Sequence, residues 1–198
     1  DYSWGIVWDF MSLPQRGRTT GFVPDEVDAK GTVLKKNDDR TSEQLDRFDR
    51  GLKNINVWYG AMFTHTLVLN TPMPANAKNP TPYDKRGWCI FECTLSALVK
   101  DQDCYLELKH LSGSSTDWDS VRDECKANRR VPMAPDAFEE MMRIGVDEEA
   151  KCEGTGIKFT SGKDLTEVVI PQYEKGFLKL YGSTKTLSYG GLKWGPQG

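Results

Sequence analysis

Thr66-Leu67-Val68-Leu69, a loop running to Gly87, and the segment Arg86-Gly87-Trp88-Cys89-Ile90-Phe91-Glu92 make up the stretch that decides the fold. The first four residues are a short apolar run with the composition of a buried strand. The loop over 71–87 holds four prolines, which fix its backbone in extended and turn shapes. From about Trp88 to Lys100, the large apolar residues Trp88, Phe91, Leu95 and Leu98 recur at spacings of three and four, which predicts a helix with one buried stripe. A buried strand that feeds a helix is the repeating unit of a parallel sheet covered by helices.

The same alternation extends both ways. Upstream, Trp4-Gly5-Ile6-Val7-Trp8 reads as the first strand and ends at Asp9. A polar insert over 16–40 follows, too long and too charged for a simple turn. Thr41-Ser42-Glu43-Gln44 reads as a capping box, and Leu45, Phe48, Leu52, Ile55 and Tyr59 continue as one helical stripe stopped by Gly60. Downstream, residues 104–108 predict a third strand. Thr116 is placed to cap a helix carrying Trp118, Val121 and Cys125, and Pro135 to open another with Phe138, Met141 and Met142 inward. Ile157-Lys158-Phe159-Thr160 reads as a fourth strand, and Ser161 with Asp164 as the start of a last helix that Pro171 breaks or kinks. The expected organisation is one α/β domain over 1–182 and an extended, glycine- and proline-rich tail over 183–198. Because the chain begins at Asp1, its start reads as processed or as part of something longer.

Composition narrows the classes of function. Hydrophobic residues make up 38% and charged residues 28% of 198 positions, an ordinary globular mixture. The formal net charge is −3, and the tight basic pairs Lys35-Lys36 and Arg129-Arg130 have no interleaved aromatics. That argues against nucleic acid as the partner, because phosphate binding needs a clustered positive footprint. No apolar run approaches the roughly 20 residues that span a bilayer. Five cysteines without a CxxC pair read as free thiols, which suits the cytoplasm or another reducing compartment. His65 and His110 have no ligand cluster around them, so no metal site is expected.

Candidate chemistry gathers where strands end, since ligands of open α/β sheets bind beyond the carboxyl ends of the strands. Asp9 ends the first strand. Glu92 lies in the first turns of the helix after the second, four residues beyond Trp88 and on the same face. A carboxylate beside an indole is partly desolvated, which raises its pKa, while a nearby helix start lowers it. The plainer reading of Glu92 is a cap, a partner for Arg86 or a solvated surface residue. Asp9 equally suits a turn tied to its own backbone. The planar fork of Arg86 suits a phosphate or carboxylate, or simply the surface.

Trp88-Cys89-x-x-Glu92 resembles the Trp-Cys-x-x-Glu signature of Toll/interleukin-1 receptor (TIR) domains, especially plant and bacterial ones. Trp8-Asp9-x-x-Ser12-Leu13-Pro14-Gln15, followed by Glu43 and Ile55-x-x-x-Tyr59, is similar to the fungal heterokaryon-incompatibility domain. Arg86-Gly87-Trp88-Cys89 and Phe159-Thr160-x-Gly162-x-Asp164 resemble a group of uncharacterised protist proteins. The TIR resemblance implies a flavodoxin-like parallel sheet with helices on both faces. Relative to that fold the first strand is absent, and in the strand order 2-1-3-4-5 it would lie mid-sheet. The resemblance also implies cleavage of the nicotinamide–ribose bond of NAD or a related nucleotide. Glu92 would then be the catalytic group, Trp88 would pack near the pocket, and Asp9 and Arg86 would orient the ribose or phosphates. NAD would be substrate, with no resident cofactor. The alternative it implies is a non-catalytic module that assembles with protein partners.

Overall fold

The computed structural model describes residues 13, 14, 16, 17, 23–29, 33–35, 37–77, 79–126, 128–187 and 190. The strand expected over 4–8, Asp9 at its end, and most of the tail after 187 lie outside them. The chain's own contacts group it into two compact units, Asp1–Ile55 and Asn56–Gly198.

In the first unit, the polar insert carries a short antiparallel hairpin of β1 (Glu26–Val27) and β2 (Val33–Lys35). Asp25 anchors it by accepting from the Arg16 guanidinium at 2.9 Å and from the Asn37 amide at 2.8 Å. Helix α1 (Ser42–Lys53) begins at the expected box: the Gln44 amide donates to Thr41 Oγ1, and the Thr41 amide to Gln44 Oε1. The stripe residues Leu45, Phe48 and Leu52 are half-buried. The helix stops at Asn54 instead of running to Gly60, and residues Ile55–Gly60 form a separate short helix, α2. Asn54 donates from its own side chain to the Arg50 carbonyl at 2.8 Å, the local bonding by which asparagine disfavours helix interiors.

The second unit holds the parallel pair expected for an α/β protein. Strand β3 (Thr66–Val68) lies beside β4 (Tyr105–Glu107), with Thr66 opposite Tyr105, Leu67 opposite Leu106 and Val68 opposite Glu107. The connection between them carries helix α3 (Gly87–Ala97). Every residue of α3 from Ile90 to Ala97 is buried, Glu92, Thr94 and Ser96 included, so this is a central helix and not one with a single buried stripe. Helix α4 (Trp118–Cys125) is capped by Asp117, not Thr116, because Ser120 three residues on returns the bond. Helix α5 (Pro135–Lys151) has Pro135 in its first turn and Phe138 and Met142 fully buried, with Met141 only half-buried. The last helix, α6 (Ile170–Ser183), is preceded by a π-helical turn over Leu165–Val169. Pro171 has no N–H to give to the turn before it, so the ladder widens there. Rings join α3, α5 and α6: Phe138 stacks on Tyr173 at 3.8 Å between centroids and meets Phe91 at 6.5 Å.

The fourth strand is not formed. Residues 157–159 make a single parallel bridge, Lys158 to Arg86; the Ile157 amide goes instead to the Gly145 carbonyl of α5 at 2.8 Å, as the preceding Gly156 amide goes to the Glu149 carboxylate at 3.1 Å. A Cβ on Gly156 would fall 2.0 Å from the Gly145 carbonyl oxygen, so the loop rests directly on α5, and its amides are taken before a ladder can extend.

A buried polar network closes the far end of α3. Arg129, 1% exposed, donates to the carbonyls of Ala97 and Lys100 and, at 2.6 Å, to that of Gly190. The Lys100 ammonium donates to the hydroxyls of Thr64 at 2.9 Å and Thr66 at 2.7 Å, and Thr66 shares a further bond with Ser96. All five cysteines are free thiols. Among the described residues, no helix is long and apolar enough to cross a membrane.

Candidate functional site

The first turn of α3 is where the two quoted motifs meet. The Gly87 amide donates to the Lys158 carbonyl at 2.9 Å, and the Lys158 amide to the Lys85 carbonyl at 2.8 Å. This two-bond clasp lays the Phe159 ring directly over Gly87: a Cβ there would come within 2.2 Å of Cζ and 2.4 Å of both Cε atoms. One residue on, the Trp88 indole N–H donates to Asp164 Oδ2 at 2.9 Å, across 76 positions of sequence. The indole also meets Phe91 edge-on at 6.0 Å. Arg86-Gly87-Trp88 and Phe159 through Asp164, noted separately in the sequence, are thus two halves of one junction.

The half-buried Arg86 is engaged by its own loop. Its guanidinium donates to the Thr81 carbonyl at 2.8 Å, the Asn79 carbonyl at 3.3 Å and the Met73 thioether at 3.2 Å. The arginine expected to clamp phosphate binds the proline-rich loop to α3. Glu92 is 8% exposed, which overturns the surface reading of its carboxylate. Its charge acts on two neighbours, the Tyr83 phenol and the Cys93 thiol. These two share a hydrogen bond of 3.3 Å, and Val68 and Tyr105 pack with Cys93. Burial, then the adjacent Cys93, holds the Tyr83 phenol far above its ordinary range, and burial raises the Cys93 thiol. Both stay protonated at neutral pH, so the cluster contains no thiolate nucleophile.

Two further features were not foreseen from the sequence. At the carboxyl ends of β3 and β4, Glu107 accepts from the Asn70 side-chain amide at 2.9 Å and from Lys109, with His110 Nε2 at 3.7 Å. Although burial raises the Glu107 pKa as the largest single influence, the Lys109 and Asn70 bonds and nearby charges together hold it below the usual glutamate value. Its position as the last residue of a strand was the signal, hidden because Glu107 looks like any charged residue that ends a strand. The second feature is a depression of about 530 Å³, open to solvent and floored by Ile90, Met141, Ile144 and Ile157. Neither Arg86, Trp88 nor Glu92 lines it. Among the described residues, no group of three or more histidine, cysteine, aspartate or glutamate side chains is placed to hold a metal ion.

Comparison of the chain with family models, with curated proteins and with solved structures finds no match.

Proposed function

We propose that the chain is a non-catalytic module with a TIR-like, flavodoxin-like architecture that works by binding protein partners. The observation that carries this reading is the engagement of the residues a nucleotide would need. The Arg86 guanidinium bonds three atoms of its own loop, and the Trp88 indole N–H is given to Asp164. A site that binds phosphates and ribose keeps such groups turned toward the ligand. Exposed apolar side chains at Phe63, Leu67 and Leu69, the first 90% exposed, add support, since neighbouring apolar groups left in water mark surfaces that meet other proteins.

The hydrolase reading has one observation in its favour. Glu92 is a carboxylate enclosed one helical turn from an indole, the setting in which a negative charge acts most strongly on a developing cation. Incubating the purified protein and its Glu92→Gln variant with NAD, and quantifying nicotinamide, separates the two. Neither protein is expected to exceed the protein-free control. Release by the parent, lowered on the order of 10²–10³ in Glu92→Gln, would overturn the module reading in favour of hydrolysis.

A further inference from the structure

The depression on α5 is lined by three carboxylates, Asp84, Glu140 and Glu148. Along that helix Glu139 pairs with Arg143 four residues on, at 2.8 Å. The side-chain carboxylates of Glu140 and Glu148, which line the depression, form no hydrogen bond or ion pair among the described residues. The same holds for Asp84 on the opposite wall. The cations of that wall are Lys85, whose ammonium donates to the Thr155 carbonyl at 2.7 Å, and Arg130. Three side-chain carboxylates without partners, against one such cation, Arg130, therefore border an aliphatic floor.

Their spacing is regular. Glu140, Ile144 and Glu148 follow one another at intervals of four on the exposed side of α5, so they lie along one face. At 1.5 Å per residue they stand about 6 Å apart along the axis, with the two carboxylates about 12 Å apart. In an extended chain alternate side chains share a face and lie about 7 Å apart, so residues four apart are separated by about 13 Å. The two repeats match over this length. The floor is wide enough for aliphatic contact because Gly145 lets Ile157 close on the helix: a Cβ at 145 would sit 2.4 Å from the Ile157 Cδ1.

We infer that this groove receives an extended segment of a partner protein that presents a basic residue, an aliphatic residue and a second basic residue at alternate positions. Glu140 and Glu148 take the two cations, and the aliphatic side chain lies between them on Ile144, Met141 and Ile157. The inference rests on the module reading and names its partner surface. An open trough suits a chain better than a small ligand, which needs most of its surface enclosed, and alternate-residue recognition is how extended peptides are commonly read.

The test uses the full chain and three blocked, fluorescein-labelled peptides of equal length. One has lysines four residues apart flanking a central leucine, one has the same lysines two residues apart, and one has glutamates in place of the lysines. Fluorescence anisotropy is expected to show the first bound at least about tenfold more tightly than either control, with the affinity falling as salt is raised. Glu140→Lys/Glu148→Lys should lose at least about tenfold in affinity for the same peptide while keeping the parent's circular dichroism and melting temperature. If that variant misfolds, Ile144→Ser takes its place, because Ile144 is 52% exposed and its loss leaves the core intact. Equal binding of all three peptides, undiminished binding by the variants, or binding of spermine without preference among the peptides would overturn the inference. Nicotinamide release would instead sink the module reading, so the two failures are distinguishable.

Discussion

Gly87→Ala tests the junction on which the site depends. On helix propensity alone the change is favourable, by up to about 1 kcal/mol in a helix interior and less in a first turn. The structure predicts the opposite sign. The new Cβ would lie 2.2–2.4 Å from three carbons of the Phe159 ring, so the ring must move as a body and carry with it the bridge at Lys158. Overpacking of this kind costs about 1–3 kcal/mol, which leaves a net loss of about 1–2 kcal/mol. In a chain of this length each kcal/mol lowers the melting temperature by about 2–4 °C. Urea unfolding followed by circular dichroism gives the equilibrium value, and a double-mutant cycle assigns its cause. Phe159→Ala removes the obstacle, so the double variant should be less destabilised than the sum of the singles by at least about 1 kcal/mol. A Gly87→Ala protein as stable as the parent, or strictly additive effects in the cycle, would refute the packing argument and leave Gly87 as an ordinary helix residue.

Two further outcomes follow from the network at the other end of α3. Burial brings the Lys100 ammonium, fully shielded from solvent, down to about 8 from 10.5. Between those values the folded chain has lost a proton that the unfolded chain keeps, so this group's contribution to stability rises with pH through the window, by about 3 kcal/mol in total. Lys100→Met should abolish that rise, read as the difference between the two proteins' stability-against-pH curves so that the thiols and phenols cancel; parallel curves would show that the ammonium is not buried in the folded state. Arg129→Ala removes the donor to the Ala97, Lys100 and Gly190 carbonyls and should cost at least about 3 kcal/mol, since hydrogen bonds from charged groups contribute about 1.5–3 kcal/mol each; a loss below 1 kcal/mol by urea titration would mean that water replaces the guanidinium.

Much of the architecture was legible because it depends on local signals. The box at Thr41 and Gln44, Pro135 in a first turn, the β3 strand and the start of α3 each follow from residues a few positions apart, whereas at Pro171 the helix runs on through a widened turn where a break or kink is expected. The errors arose where local and distant bonding compete. Asn54 lies on the polar side of its stripe, where apolar periodicity says nothing, and its side-chain bond to the Arg50 carbonyl ended the helix. Residues 157–160 have the composition of a strand, but after the single bridge at Lys158 no ladder extends, because the Ile157 amide is claimed by the Gly145 carbonyl, a partner that no local pattern identifies. The junction was half legible. Its two motifs, residues 86–89 and 159–164, stand out in the sequence, but nothing local says that they meet. Direction was the missing information: whether Arg86 turns outward to a ligand or back to Thr81 is decided by the path of a loop with four prolines. The groove on α5 was invisible because Glu140 and Glu148 read as ordinary surface acids until the segments at 84–85 and 155–157 come to line the same depression.

The Trp88–Asp164 bond has a consequence for how the protein is made. Its partners are 76 positions apart, and synthesis at about 5–20 residues per second separates their emergence by about 4–15 s. During that interval α3, whose later turns are buried on every side in the folded chain, has no aromatic partner from α5 or α6 and no clasp on its first turn. The nascent chain therefore presents its most water-averse helix well before the segments that enclose it are made, which makes this stretch the natural target of a chaperone and the place where a slowed ribosome would most increase aggregation.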